Sequence, residues 1–443
     1  MPSQGTIGDR VRGLRLNRRM SQAQLAGPDL SDSYVSLIES GKRTPTPVVA
    51  RLLAERLGCT TEFLLHGIEP RQRIDTELGL RHAELELQHG DPAIAADRYT
   101  EIVKVADEEN AMLTAQARFG RARALEAQGR LGQAVEAFER LRREAAAHPE
   151  RLADLPITIA LSRCYHRAGD RLRARDLASK ALEQAERMAI EQGELAADLA
   201  CALVEAHADR EGGSPELAYV KKVLDIAGSG EIMDRSEEVD ALWKASGTAA
   251  AGEDSALAVR LADDAINAGR DQRIGLQLAR AAMRWARLEA TPAEEARRFA
   301  EAAVRAFASA DRDGEHGEAL IVLARVVLGA EPERADRLAG EALGLVGGGA
   351  AAAEAHLVRA TLAMSRQADP AEHLSAARIA LDGVGRQPYG TDRAVARCWR
   401  ELGDLYGQAG DRAQQTAAYR KALEAAGVRS MLAGLPVEAN VAR

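Results

Sequence analysis

The sequence predicts an all-α chain in two parts: five short helices over residues 1–70, then about nine helical hairpins over residues 71–433 that wind into a right-handed superhelix. Residues 434–443 read as a frayed tail. Three observations predict this. Helix caps and turn residues punctuate Ile7 to Leu65 at short intervals. Small or aliphatic residues recur at 38 to 42 residue spacing through the remainder, at Ile102, Leu141, Ala181, Val223, Ala265, Ala303, Ala342, Ala380 and Ala422. Apolar content is 46% but aromatics are only 3%, so the core is built from Ala and Leu, which suits close helix packing.

In the first part, Ser21-Gln22-Ala23-Gln24 has the S-x-x-Q form of a capping box and starts the second helix. Gly27-Pro28 breaks it, because Gly supplies unusual dihedrals and Pro cannot continue a helix. Ser31 caps a third helix through Tyr34, Val35, Ile38 and Glu39, and Gly41 ends it. Thr46 with Pro47 is an N-cap followed by an N1 proline, Gly58 stops that fourth helix, and Thr60 opens a short fifth turn. Val35 and Ile38, three apart, belong to a core with Leu25, Leu52 and Leu53.

Ser21-Gln22-x-x-Leu25-Ala26, Ser36-x-Ile38-Glu39-x-Gly41-Lys42 and Pro45 resemble the Cro/C1-repressor (XRE) family of helix-turn-helix regulators, over about the first 70 residues. The turn from Gly27 to Leu30 is shorter than the family's usual one. The resemblance implies that the third helix enters the major groove of double-stranded DNA. Carried over, Ser31, Asp32, Ser33, Tyr34 and Leu37 face the DNA, with Gln22, Lys42 and Arg43 on its backbone. Read from the residues themselves, Ser33 and Ser36 can meet either type of base edge and Leu37 a thymine methyl. Asp32 either accepts from cytosine N4 or favours the positive end of its own helix. Glu39 suits a local salt bridge or cap better than contact with a polyanion.

Charge divides the chain the same way. Residues 1–73 hold 11 Lys and Arg against 7 Asp and Glu, whereas the whole chain is −8. A basic head on an acidic body is what DNA contact by one end requires. Arg10, Arg12, Arg15, Arg18 and Arg19 crowd the first helix and its exit, either as a solvated face or as phosphate contacts. Cys59, Cys164, Cys201 and Cys398 are dispersed without CxxC spacing, which reads as reduced thiols in a cytoplasmic protein. No apolar run is long enough for a membrane span; Ala319 to Leu328 is short and contains Arg325.

The clearest hairpins resemble tetratricopeptide (TPR) repeats. Trp399-x-x-Leu402-Gly403-x-x-Tyr406-x-x-x-Gly410, followed by Tyr419 and Ala422, keeps the pattern, with Gln415 where a small Ala is usual. Gly129 to Phe138 and Leu161 to Ala174 repeat the logic: small residues let two helices approach, an aromatic fills the gap, and Gly or Asp ends the first helix. The period exceeds the standard of about 34 residues, implying longer helices. Loops are expected at Gly212 to Pro215, Gly228 to Gly230, Gly347 to Gly349 and Gln387 to Gly390.

Such arrays bind extended ligands on a concave surface formed by the first helix of each hairpin. Those positions include Gln116, Phe119 and Arg123, then Arg163 and Arg167, then Trp243 and Trp285. Arg beside aromatics suits a peptide carboxylate or an aromatic ligand; alternatively both Trp side chains simply pack between repeats. His82 and His89 share a helical face but have no acidic partner placed for a metal, so no metal or cofactor is expected. Ser40 to Thr44 looks like a phosphate loop but lacks the upstream Gly and follows a helix; no motif of an enzyme is present.

An XRE-like head on a TPR-like body is similar in architecture to bacterial peptide-pheromone-responsive regulators. That resemblance implies a homodimeric transcription regulator reading an inverted repeat, with a peptide or small-molecule effector acting on the array. The alternative is a scaffold in which the head contacts protein and the array recruits partners.

Overall fold

A computed structural model describes residues 6–66, 70–105, 111–149, 152–207, 215–227, 232–288, 291–384 and 393–427. The expected loops at Gly228 to Gly230 and Gln387 to Gly390, the Gly212 to Ser214 part of another, and the tail lie outside these residues. The described residues are helical and hold no strand.

The head consists of α1 (Ile7–Asn17), α2 (Gln22–Ala26), α3 (Asp32–Glu39), α4 (Pro47–Arg56) and α5 (Thr61–His66). Its punctuation forms as the residues dictate. Gln24 N–H donates to Ser21 Oγ at 3.1 Å while Ser21 N–H donates to Gln24 Oε1 at 2.7 Å, the reciprocal capping box. Thr6 and Asp9 make a second box on α1, Ser31 Oγ accepts from Tyr34 N–H at 3.1 Å, and Thr46 caps α4 with Pro47 in its first turn. Gly27, Gly41 and Gly58 all take positive φ where α2, α3 and α4 end. Val11, Leu25, Val35, Ile38, Leu53, Leu57 and Leu64 close a single core; Leu52 is only half-buried beside it. Gly8 is where α1 meets α3, since a Cβ there would stand 2.4 Å from the Ile38 carbonyl oxygen.

Helices α6 to α23 follow as antiparallel pairs: α6 (Pro70–His89) with α7 (Pro92–Val105), α8 (Ala111–Ala127) with α9 (Leu131–Ala147), α10 (Asp154–Ala168) with α11 (Arg171–Arg187), α12 (Glu194–His207) with α13 (Pro215–Ala227), and α14 (Ser236–Ala251) with α15 (Ser255–Ala268). Then come α16 (Arg270–Ala286) with α17 (Ala293–Ser309), α18 (Asp313–Val327) with α19 (Pro332–Leu345), α20 (Gly349–Ser365) with α21 (Ala371–Asp382), and α22 (Arg393–Gln408) with α23 (Arg412–Ala425). Every recurring small position from Ile102 to Ala422 falls on the second helix of its pair. These are TPR-like hairpins.

The repeat chemistry is visible in the packing. A Cβ on Gly403 would lie 2.6 Å from the Tyr419 ring, and one on Gly120 would lie 2.3 Å from the Tyr99 ring, so an aromatic of the second helix occupies the space a side chain of the first gives up. Gln415, the departure from the TPR pattern, is accommodated because Gly407 stands against its amide. Two hairpins share a staple: Ser162 Oγ donates to Ala174 O at 2.8 Å and Ser246 Oγ to Ala258 O at 2.7 Å. Asp170, Asp254 and Asp411 each cap the second helix directly after a residue with positive φ.

The chain divides into two compact units, Met1–Ile157 with Arg235–Gly269, and Thr158–Asp234 with Arg270–Arg443. The interruption is the hairpin α14–α15, which belongs to the first unit and packs on α6. There Arg81 pairs with Asp263 at 2.5 Å and Ser255 Oγ donates to Asp75 Oδ1 at 2.7 Å. His82 Nε2 lies 2.8 Å from Ser246 Oγ. Because that hydroxyl already gives its proton to Ala258 O, His82 Nε2 is the donor, and burial lowers its pKa in keeping with a neutral ring. In the second unit α12 packs directly against α16, its non-neighbour in sequence, where Cys201 Sγ meets Gln277 O at 3.1 Å. Among the described residues, no helix is long and apolar enough to cross a membrane.

Candidate functional site

On the head, α3 presents two unlike faces. Val35 and Ile38 are fully buried and Glu39 nearly so, while Ser31, Asp32, Ser33 and Ser36 are exposed and Leu37 is 39% exposed. This exposed face thus offers a run of small hydroxyls, able to donate and accept hydrogen bonds, around one solvent-facing leucine. Asp32 Oδ1 accepts from the Ser33 N–H at 3.0 Å, within the first turn of its own helix. Tyr34, half-buried, supports the Arg43 guanidinium 4.8 Å above its ring, which orients this cation beside exposed Lys42 at the exit of α3. The backbone N–H groups of Lys42 and Arg43 both return to Leu37 O, at 2.9 and 3.2 Å.

Behind this face lies a buried ion pair. Arg15 on α1 holds Glu39 on α3 through Nε at 2.5 Å and Nη2 at 2.9 Å, and donates Nη1 to Met20 O at 2.8 Å. Gln22 Nε2 donates to Glu39 Oε2 at 2.8 Å, so the start of α2 is tied to the same carboxylate. Burial alone would raise the Glu39 carboxyl, but the hydrogen bonds from Arg15 and Gln22 hold it below the ordinary carboxylate range. The bond to Glu39 correspondingly raises Arg15. The expected salt bridge of Glu39 is thus found, and with it a division among the five arginines. Arg10 donates to Leu64 O and Leu65 O at 3.1 and 2.8 Å, and Arg18 to Gly58 O at 3.3 Å. Together with Arg15 they stitch the head, which leaves Arg12 and Arg19 exposed.

The array residues singled out in the sequence fall into separate groups. In the first unit, Phe119 and Arg123 meet on α8: the guanidinium lies 6.0 Å from the ring and pairs with Glu84 of α6 at 2.9 Å. Phe119 is also edge-on to Phe138 at 5.9 Å, and Tyr99 donates to Glu84 at 2.8 Å. Gln116 is exposed one turn earlier. Trp243 of the same unit packs half-buried against the cluster of α6, α14 and α15. In the second unit, Arg163 pairs with Asp198 at 3.5 Å and Arg167 is exposed one turn further on. Trp285 is 8% exposed, donates Nε1 to Glu295 at 3.0 Å and meets Phe299 edge-on at 6.4 Å, inside its own hairpin.

What sequence reading missed is a belt of ion pairs running along the first helices of the second unit. From α10 to α12 it includes His166 Nδ1, 3.9 Å from Glu205 and an ion pair only when the imidazole is protonated; from α12 to α16, Glu194–Arg273 at 3.7 Å and Glu205–Arg284 at 2.7 Å; from α16 to α18, Arg280–Glu315 at 2.6 Å. It ends in a junction around Glu354 of α20, whose side chain is 7% exposed. Arg325 of α18 lies 2.7 Å away, Arg287, the residue directly after α16, at 3.3 Å and Arg397 of α22 at 3.8 Å. Arg325 also grips Glu401 of α22 with both Nη atoms, at 2.9 and 2.8 Å. Burial would raise the Glu354 carboxyl, and the three guanidiniums overcome this to hold it low. The arginines at 280, 284 and 287 follow a helical i, i+4, i+7 stripe, the one local signal that marks the belt. Elsewhere in this unit a cavity of about 360 Å³ opens between α13 and α17, where Arg298 pairs with Asp225 at 2.5 Å. Among the described residues no group of three or more His, Cys, Asp or Glu is arranged to hold a metal ion.

Residues 11–64 match the helix-turn-helix family HTH_3. The head is therefore a helix-turn-helix domain of the XRE type. Solved structures similar along most of the chain include the apo form of the quorum sensor NprR from B. thuringiensis, 10% identical, covering 95% of this chain and 99% of that one with a TM-score of 0.48. A Rap protein complexed with competence and sporulation factor is 10% identical over 94% of this chain and 98% of that one, with a TM-score of 0.43. PlcR from Bacillus thuringiensis in complex with the peptide PapR7 and DNA is 12% identical over 94% and 99%, with a TM-score of 0.28. Among curated proteins none matches this sequence significantly.

Proposed function

We propose that this chain is a sequence-specific DNA-binding transcription regulator whose array senses an effector. The observation that carries the reading is α3 itself, a helix with an apolar face locked into the head and an exposed face of Ser33, Ser36 and Leu37, within a helix-turn-helix domain. Inserted in the major groove, Ser33 and Ser36 take base-edge hydrogen bonds and Leu37 a thymine methyl. Lys42 and the Tyr34-supported Arg43 take phosphates, which position the helix without reading sequence. Gln22 and Arg15 fix the angle between α1, α2 and α3 through Glu39. Two copies of the chain supply two such helices to an inverted repeat, with half-sites about 34 Å apart or a multiple of that.

Effector sensing is assigned to the first helices of the array, with residues 71–433 as the effector and dimerisation region. The Glu354 junction joins α16, α18, α20 and α22, so a ligand that favours one pairing there changes how these hairpins sit together. Its influence on DNA affinity is limited to its differential affinity for the competent and incompetent forms, typically about 1–3 kcal/mol. Selection of random DNA fragments by the purified full-length protein tests the proposal. Enrichment of an inverted repeat supports it, and a flat pool from both the full chain and the head turns the reading toward a protein-contacting scaffold.

A further inference from the structure

Around Glu354, donors outnumber the acceptors they meet. A guanidinium is a fork of N–H donors with no acceptor of its own, and three of them, Arg287, Arg325 and Arg397, face two carboxylates, Glu354 and Glu401. Arg325 gives both Nη atoms to Glu401, while its buried Nε stands 2.7 Å from Glu354 without making a hydrogen bond. Arg287 reaches Glu354 only through Nη2 at 3.3 Å, and its Nε is buried without an acceptor. Arg397 stands 3.8 Å from Glu354, beyond hydrogen-bonding distance, with its side chain 45% exposed. The neighbouring acids do not close the gap: Glu315 is taken by Arg280, and burial pushes the Glu318 carboxyl up despite the opposing pull of the Arg287 and Arg284 guanidiniums. A buried N–H with no partner costs free energy comparable to a lost hydrogen bond, and an anion is the ligand that removes this cost.

We propose that the Arg287–Arg325–Arg397 junction is an anion subsite, taking a carboxylate or phosphate group of the effector in competition with Glu354 and Glu401. The proposal rests on the array being the effector-binding region. Arg397, exposed and under-engaged, is the entry; Arg287 Nε and Arg325 complete the cradle. A planar carboxylate suits the guanidinium forks as a bidentate partner, and a phosphate offers further acceptors to the same donors.

The test is calorimetric titration of the full-length protein at fixed ionic strength with two probes: inorganic phosphate, and N-acetyl-dialanine as the free acid beside its C-terminal amide. Saturable binding of phosphate or of the free acid is expected, and whichever binds names the source of the anion. Arg397→Ala weakens that binding about tenfold or more, the scale of one charge-assisted hydrogen bond, whereas Glu401→Gln, which removes a competing acceptor, strengthens it. Three results would overturn the subsite: no saturable binding of either anion to the wild type or Glu401→Gln, saturable binding of the amide as tight as that of the free acid, or affinity indifferent to Arg397→Ala. DNA selection on the same preparations keeps the two proposals apart. Intact DNA binding with no anion binding removes the subsite alone, and anion binding without any effect on DNA affinity keeps the subsite and removes its role in sensing.

Discussion

Glu39 in the head and Glu354 in the array are each buried against arginine, and they are held in opposite ways. Glu39 has one bidentate arginine, 24 residues earlier in the chain, and one amide, so its oxygens are matched by donors from helices that the head brings together anyway. Glu354 is shared by three guanidiniums from three other hairpins, each of them incompletely bonded. The first arrangement has one low-energy pairing and fixes geometry. The second offers several, and under the proposed function the difference separates a part that holds a reading helix still from a part that responds to a ligand.

The largest effect expected from breaking this contrast lies at the matched pair. Arg15→Met alone strands the buried Glu39 carboxylate and costs the head about 3–5 kcal/mol, while the double change Arg15→Met with Glu39→Leu restores most of it. Amide exchange of α1 to α3 in the full-length chain reads both. The same pair sets a pH limit. Glu39 titrates lower in the folded head than in the unfolded chain, so its contribution is complete above the unfolded value of about 4.3 and is lost as pH falls through the lower folded value. Amide protection of α3 should decline in acid below that point, and Glu39→Gln should abolish the decline.

Smaller effects test the packing and the surface. Gly403→Ala drives a methyl into the Tyr419 ring and lowers the stability of the last hairpin by about 1–3 kcal/mol, measured by thermal unfolding; Gly132→Ala, where a Cβ meets nothing within 4 Å, serves as the control. Asp411→Ala removes a side-chain cap and costs about 1 kcal/mol, seen as faster exchange at the start of α23. Lys42→Ala with Arg43→Ala weakens binding to all DNA sequences alike and reduces the slope of log affinity against log salt by about 1 to 2; a change confined to one base position would show that these residues read sequence.

The same contrast explains what could be read in advance. The head is written in local signals: Ser21 with Gln24, Thr46 with Pro47 and Gly58 each act within one turn of themselves, and each stands where it was expected. Its arginines were less legible, because whether Arg10 or Arg18 meets a phosphate or a carbonyl of its own domain depends on where α5 and Gly58 come to rest. In the array, Trp399, Gly403 and Tyr419 announce a hairpin because their contact is short in sequence. Which hairpins then pack together was not legible: every pair offers the same Ala and Leu faces, so periodicity gives no hint that α12 adjoins α16 or that α14–α15 rests on α6. Glu354 was hidden for a related reason. Its partners lie one or two repeats away at Arg287, Arg325 and Arg397, and no local spacing links them.

Hydroxyl-radical footprinting of the full-length protein on its selected DNA site, with wild type beside Ser33→Glu, decides whether α3 reads DNA. Two protected half-sites are expected on one face of the duplex, about one helical turn or a multiple apart, and both should be lost with Ser33→Glu, which sets a carboxylate against phosphate and base edges. A footprint unchanged by Ser33→Glu, or protection that maps to the array with the head removed, would contradict α3 as the reading helix.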